Sequence, residues 1–400
     1  MKRLLSLILA ALLLLLCACG GGSPQSAPAP SQSSAPDTAP APDTASPAGQ
    51  EEDGAAFCGL RHEGSMDLRY AEEFSVDYYE GGFKLLTIGD GNRYLLTPEG
   101  QEPPAGLPSD VRIIRTPLKS VYLAATAAMA LFDALDALDV IRLSGTQADG
   151  WYIENAAAAM RGGDILFAGK YSEPDYELLV EAGCDLAIES TMILHTPKVQ
   201  EMIERLGIPV FIEHSSYESH PLGRTEWIRL YGAMLDREEE AEAFFDAQAA
   251  VMDELENFEN TEKTVAFFYI SSGNKAVVRT SDDYIAKMIG LAGGRYVFSD
   301  LTQDSANASV SLSLEEFYAA AVNADYLIYN AAIDEPMESM DELLAKSPLF
   351  RDFKAVREGN VWCTGKSLYQ ATDIVGSLIS DIHGMLTGDT ENMTFITRLE

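Results

Sequence analysis

The sequence predicts an α/β protein of two lobes with mainly parallel sheets, joined by one long helix and preceded by a small β-rich addition. Three observations carry that prediction. From Val111 onward, short apolar runs alternate with segments of helical periodicity, the pattern of a parallel sheet covered by helices. The alternation pauses at Asp236–Asn260, a stretch without Gly or Pro, and then resumes. The two halves also echo each other: ELLVEAGCDLAI from Glu177 and EFYAAAVNADYLI from Glu316 both read as an acid-headed helix, a turn, an Asp and an apolar strand.

Taken in order, residues 1–18 read as a signal peptide: Lys2 and Arg3 precede an apolar run too short to span a bilayer comfortably. Leu16-Cys17-Ala18-Cys19 followed by Gly20 has the form of a lipobox, with cleavage before Cys19 and diacylglyceryl attachment to its sulfur. Two acyl chains on one cysteine supply a double anchor. Residues 19–56, rich in Ser, Ala, Pro and Gly, cannot bury a core and read as a tether. Cys58, Cys184 and Cys363 remain, an odd and scattered set that implies no disulfide framework.

Residues 57–110 form the β-rich addition, since FSVDYYEGGFKLLTIGDGNRYLLTP alternates and is punctuated by Gly-Gly and Asp-Gly. Residues 111–235 form the first lobe: strand 111–115, helix 118–138, strand 140–143, helix 155–161, strand 164–168, helix 175–182, strand 185–189, helix 197–206 and strand 208–213. Residues 236–260 are the connecting helix. Asp236 is its expected N-cap, Glu238–Glu240 favour its first turn, and Ala241, Phe244, Phe245, Val251, Met252, Leu255 and Phe258 line one face with Gln248 as a polar gap. Residues 261–400 form the second lobe, with strands 264–270, 326–329 and 361–364 and helices 283–291, 314–322, 340–345 and 372–386.

The net charge of −34 repels polyanions and argues against nucleic acid as a partner. No nucleophile elbow, zinc-protease, Cys-x-x-Cys or dinucleotide motif is present, so an enzyme is not expected. Gly359-Asn-Val-Trp-Cys-Thr-Gly-Lys-Ser has the wrong glycine spacing for a phosphate loop. His195 and His214 fall past predicted strand ends, where open α/β sheets place ligands, but their spacing matches no metal-ligand pattern. Basic residues are scarce, which singles out Arg224 and Arg279, one from each half and each in a loop beyond a strand. Two guanidiniums converging on one cleft would suit carboxylate, catecholate or hydroxamate oxygens. Trp151, Tyr152, Tyr171, Tyr217 and Tyr369 lie near the same edges as candidate stacking groups, with core packing as the alternative for each.

The order of PDYELLVEAGCDLAIES, GIPVFIE, the long helix, MIGLAGGRYVF, SLEEFYAAAVNADYLIYN and VWCTGKSLYQATDIVGSLISDIHGML resembles the solute-binding lipoproteins of bacterial ABC importers, in the class that handles iron siderophores, haem and cobalamin. The resemblance implies a lipid-anchored, extracytoplasmic protein on the outer face of the cytoplasmic membrane. It would be a monomer with no cofactor of its own, capturing a small metal complex, a ferric siderophore first, in a cleft lined by aromatics and arginines. It also implies docking on a membrane permease through one acid per lobe, at positions matched here by Glu177 and by Glu315 or Glu316. Haem or cobalamin, with His195 or His214 as an axial ligand, is the nearest alternative; a surface-anchored metalloenzyme and an adhesin are two further ones. A single packed connecting helix predicts small lobe closure.

Overall fold

The structure, a computed structural model, describes residues 56–255, 257–302 and 308–400. The signal-peptide, Cys19 and tether expectations lie outside the described residues. The first layer is a five-stranded sheet of β1 (His62–Ser65), β2 (Phe74–Tyr79), β3 (Phe83–Ile88), β4 (Arg93–Thr97) and β5 (Val111–Arg115), in that spatial order. Its first four strands form an antiparallel meander, while β5 runs parallel to β4. Val111–Arg115 thus completes the addition, whereas the sequence suggested that it opens the first lobe.

The first lobe is a parallel sheet of β6 (Val121–Leu123), β7 (Ile141–Ser144), β8 (Leu166–Phe167), β9 (Leu186–Ser190) and β10 (Val210–Glu213), ordered β10-β9-β6-β7-β8. Its helices are α1 (Thr126–Ala134), α2 (Glu154–Gly162), α3 (Tyr176–Glu181) and α4 (Pro197–Arg205). The predicted helix 118–138 is therefore a strand followed by a shorter helix. Val121, Tyr122 and Leu123 are all buried, so the central strand shows no alternation and merges in sequence with the Ala- and Leu-rich helix behind it.

The connector differs most from expectation. The expected helix at 236–260 is present as α6 (Glu238–Leu255), but a further helix that the sequence reading did not contain, α5 (Pro221–Leu235), precedes it. Asp236 is not an N-cap but the left-handed residue that closes α5, with φ 55° and ψ 40°. The chain reverses there. Arg229 lies 3.8 Å from Glu242, and Gly232 meets Ala241 so closely that a Cβ on the glycine would sit 2.5 Å from the alanine's. Over its 18 residues α6 is about 27 Å long and buries Ala241, Phe245 and Ala249. Gln248, the polar gap in its apolar face, has a partner: its Oε1 accepts from the Ser377 backbone N–H at 3.1 Å.

The second lobe contains β11 (Thr264–Ile270), β12 (Ala276–Arg279), α7 (Tyr284–Leu291), β13 (Arg295–Tyr296), β14 (Ser309–Leu312), α8 (Leu314–Ala321), β15 (Tyr326–Tyr329), α9 (Met340–Lys346), α10 (Lys354–Glu358), β16 (Val361–Thr364), α11 (Val375–Thr387) and β17 (Ile396–Arg398). The sheet order is β14-β12-β11-β15-β16-β17, with β13 beside β11. β11, β15 and β16 are parallel, while β12, β14 and β17 add antiparallel margins that the sequence reading did not contain. The whole is a mixed α/β fold with parallel sheets at the heart of both lobes.

The first layer is tied to the rest by charge as well as by apolar packing. Lys84 of β3, nearly buried, donates to Ala233 O at 2.8 Å and Asp236 at 2.8 Å, clamping the turn between α5 and α6. Glu226 of α5 accepts from the backbone N–H groups of Arg69, Tyr70 and Ala71, and Glu218 accepts from those of Glu72 and Glu73. Two carboxylates therefore hold five consecutive amides, groups that would otherwise be lost to solvent without repayment. Tyr94 accepts from Ile212 N–H at 3.3 Å, placing the layer against β10, the edge strand of the second sheet, whose residues are all buried.

Candidate binding cleft

An open cleft of about 670 Å³ lies between the lobes. One wall is the loop from β10 into α5, with Ser216, Tyr217, Glu218 and Ser219, and then Arg224 on the first turns of the helix. The other wall is the end of β12 and the start of α7, with Arg279, Asp283, Tyr284 and Lys287; Tyr369 follows β16. Both walls are thus built where strands end and helices begin, the edge at which open α/β sheets place ligands.

Arg224 stacks over the ring of Tyr284, its guanidinium carbon 4.0 Å from the centroid. Among the described residues it has no acidic partner and no side-chain hydrogen bond, so its donors face the cleft unassigned. Arg279 is differently placed. It lies over the Tyr369 ring at 4.9 Å, donates to the Tyr369 hydroxyl, and sits 3.8 Å from Asp283. Asn330 Nδ2 also donates to that hydroxyl, at 2.6 Å. Asp283 caps α7 by accepting from Ile285 N–H at 2.9 Å, and burial pushes its carboxyl up against the opposing pull of Arg279. Burial also pushes the Tyr284 and Tyr369 phenols up, which keeps both neutral and able to donate. Lys287 crosses the mouth and donates to Ser219 O at 2.6 Å, bridging the walls.

Of the residues singled out in the sequence, Tyr217, Arg224, Arg279 and Tyr369 come together here. The others do not line this cleft. Trp151 is buried in the first lobe and donates to Ser144 Oγ at 3.1 Å. Tyr152 is 46% exposed, and its backbone N–H donates to Gln370 Oε1 at 2.8 Å. Gln370 Nε2 in turn donates to Gly150 O at 2.7 Å, so this loop staples the lobes together and does not present a stacking face. Tyr171 is half-buried in the loop after β8. His214 turns away toward the first layer, its Nε2 3.2 Å from Asp90 and its Nδ1 3.9 Å from Glu73. His195 is exposed at the end of a short 3-10 turn. Sequence reasoning missed Tyr284, Asp283 and Lys287. The available signal was the helix start at Asp283, four positions beyond Arg279.

Among the described residues no group of three or more His, Cys, Asp or Glu side chains is arranged to hold a metal ion. Glu177 is exposed on the first turn of α3, whose N-cap is Asp175. Glu315 and Glu316 are exposed on the first turn of α8, but Glu316 is occupied: it accepts from Ser313 N–H at 2.7 Å in a capping box, which holds its carboxyl low.

The family model for periplasmic binding proteins matches residues 135–368, which places β1–β5 ahead of the matched stretch. A lipoprotein of Methanocaldococcus jannaschii is 25% identical over 78% of this chain and 77% of its own length, and a second from the same organism is 24% identical over 83% and 87%. The periplasmic haem-binding protein HutB of Vibrio cholerae superposes with a TM-score of 0.54 at 17% identity, over 67% of this chain and 97% of that one. The petrobactin-binding protein YclQ of Bacillus subtilis superposes with a TM-score of 0.54 at 15% identity, over 67% and 92%. At these identities the likeness concerns the fold.

Proposed function

The chain belongs to the periplasmic binding protein family, and from that premise we propose that it is the substrate-binding lipoprotein of an ABC importer. It captures a ferric chelate, a siderophore complex first among them, between its lobes and delivers it to a membrane permease without chemical change. The lipid on Cys19 holds it at the outer face of the cytoplasmic membrane. The observation that carries the reading is the meeting of Arg224 and Arg279, one from each side of the cleft, with three tyrosines around them. Guanidiniums on aromatic faces are suited to planar oxygen chelates, whose oxygens accept bidentate donation while the rings cover apolar carbon. Among the described residues no histidine lines the cleft; His195 and His214, the candidate axial ligands for haem, lie elsewhere, which favours a chelate.

Fluorescence titration with ferric siderophores tests this. The double variant Arg224→Ala with Arg279→Ala is expected to bind about 100-fold more weakly, two charge-assisted contacts being lost. Unchanged affinity would remove the assignment. The two single variants should differ in kind. Arg224→Ala costs affinity alone, while Arg279→Ala also frees Tyr369 and Asp283 and lowers the melting temperature.

For docking, Glu177→Arg combined with Glu315→Arg is expected to leave ligand affinity within about twofold and to stop uptake of labelled chelate in cells. Glu316 is left in place because it caps α8. Normal uptake by the double reversal would sink the docking assignment.

A further inference from the structure

Behind the cleft lies a second, smaller space of about 170 Å³, lined by Ser216, Arg224, Tyr284, Leu368, Tyr369 and Thr372 among others. Arg224, Tyr284 and Tyr369 line both spaces and stand between them. The two differ in chemistry. The outer cleft mixes signs: Arg224, Arg279 and Lys287 face Glu218, Asp282 and Asp283. Among the described residues the inner recess is lined by no carboxylate and by one guanidinium, that of Arg224.

Its hydroxyls are positioned as donors. Tyr369 already accepts from Arg279 and from Asn330, so its own proton is left to give. Tyr284 and Ser216 add two more hydroxyls. Among the described residues Glu213, which is buried and accepts from Ser215 N–H at 2.8 Å, forms no ion pair with Arg224. Burial pushes its carboxyl up against the opposing pull of Ser215 and Arg224. A cation held against a ring, beside hydroxyls and without an ion pair among the described residues, with Glu213 and Asp283 acting on it only at longer range, is suited to receive an anion.

We propose that this recess is a carboxylate subsite: it takes a pendant carboxylate of the captured chelate on Arg224, while the metal-bearing body stays in the outer cleft. The inference rests on the proposed capture of a ferric chelate and specifies its class, a complex that keeps at least one carboxylate free of the metal. The volume holds roughly five water-sized groups, enough for a carboxylate on a short aliphatic arm and too little for a metal centre with its ligands. The apolar wall at Leu368 and Val375 would meet that arm.

The test compares ferric citrate, which carries uncoordinated carboxylates, with a ferric trihydroxamate that has none, and adds citrate alone. Wild-type protein is expected to prefer ferric citrate by about tenfold or more and to gain thermal stability from citrate alone. Arg224→Gln removes the charge, and Ala371→Leu fills the recess without touching Arg224; both should erase the preference and the citrate shift. Because Ala371→Leu could disturb packing, its melting temperature without ligand is measured beside Arg224→Gln. Binding of both complexes with no preference, unchanged by either variant, overturns the subsite and leaves the capture of ferric chelates standing. Binding of neither complex overturns that capture; citrate alone then decides the recess, a shift lost in both variants upholding it and no shift overturning it.

Discussion

Replacing Glu226 with Ala is expected to destabilise the protein by about 3–5 kcal/mol, the range for removing one partner from a buried, hydrogen-bonded charge cluster. Glu226 is fully buried on α5. Its Oε1 accepts from Arg69 N–H at 2.8 Å and from Arg229 Nη1 at 3.3 Å, and its Oε2 accepts from Tyr70 N–H at 2.7 Å and Ala71 N–H at 2.8 Å. Alanine leaves three amides without their acceptor, while Arg229 keeps Asp67 O at 2.5 Å and Glu242 at 3.8 Å. Glu226→Gln keeps one acceptor oxygen and should fall between the two. Urea unfolding followed by circular dichroism reads the difference; a loss under about 1 kcal/mol would show that water replaces the carboxylate at little cost.

The second large effect has the opposite sign. Glu189 on β9 is fully buried, both carboxyl oxygens lack a hydrogen-bond partner, and burial pushes its pKa up to about 8 from 4.5. It is therefore neutral in the folded protein at neutral pH and ionised in the unfolded chain. A folded-state pKa above the unfolded one gives stability that is complete below about 4.5 and is lost as pH rises toward about 8. Glu189→Gln, of the same shape and always neutral, removes that loss. The variant should match wild type near pH 4 and exceed it near pH 8.5 by something on the order of 3–5 kcal/mol. Equal differences at both pH values would mean that the carboxyl finds a partner or water when ionised.

The lobes were legible in sequence where strands are apolar, short and bounded by turn residues. Thr264–Ile270, Tyr326–Tyr329 and Val361–Thr364 stand in the structure with the limits that the sequence suggests. The antiparallel margins were not legible. AVVR and SVSL are short and partly polar, and only pairing with β11 and with each other makes them strands. Val121–Leu123 was hidden for the opposite reason, being buried on both faces beside a helix of similar composition. The turn at Asp236 shows a limit of a different sort. Asp before a run of Glu satisfies N-cap chemistry, and the same short polar side chain also tolerates the left-handed conformation that ends the helix before it.

In the cleft, the rarity of basic residues pointed to Arg224 and Arg279, and position after a strand pointed to Tyr217 and Tyr369. Direction was what the sequence withheld. Trp151 and His214 sit in loops of the right kind, yet packing turns one into the first lobe and the other toward Asp90. Tyr284 lies inside an apolar helix start, where its pattern is that of a core residue.

Glu218, in the loop before α5, and Glu226, on α5, also set an order of assembly. The amides of Arg69–Glu73 are made early, and their acceptors, Glu218 and Glu226, come 145–157 positions later. Such contacts form only after the intervening segment has been made. The segment 69–73, between β1 and β2, must therefore wait for its acceptors until the chain of the first lobe is present. It completes when α5 arrives, so the step that seals the oldest part of the chain is the same step that seats the connector.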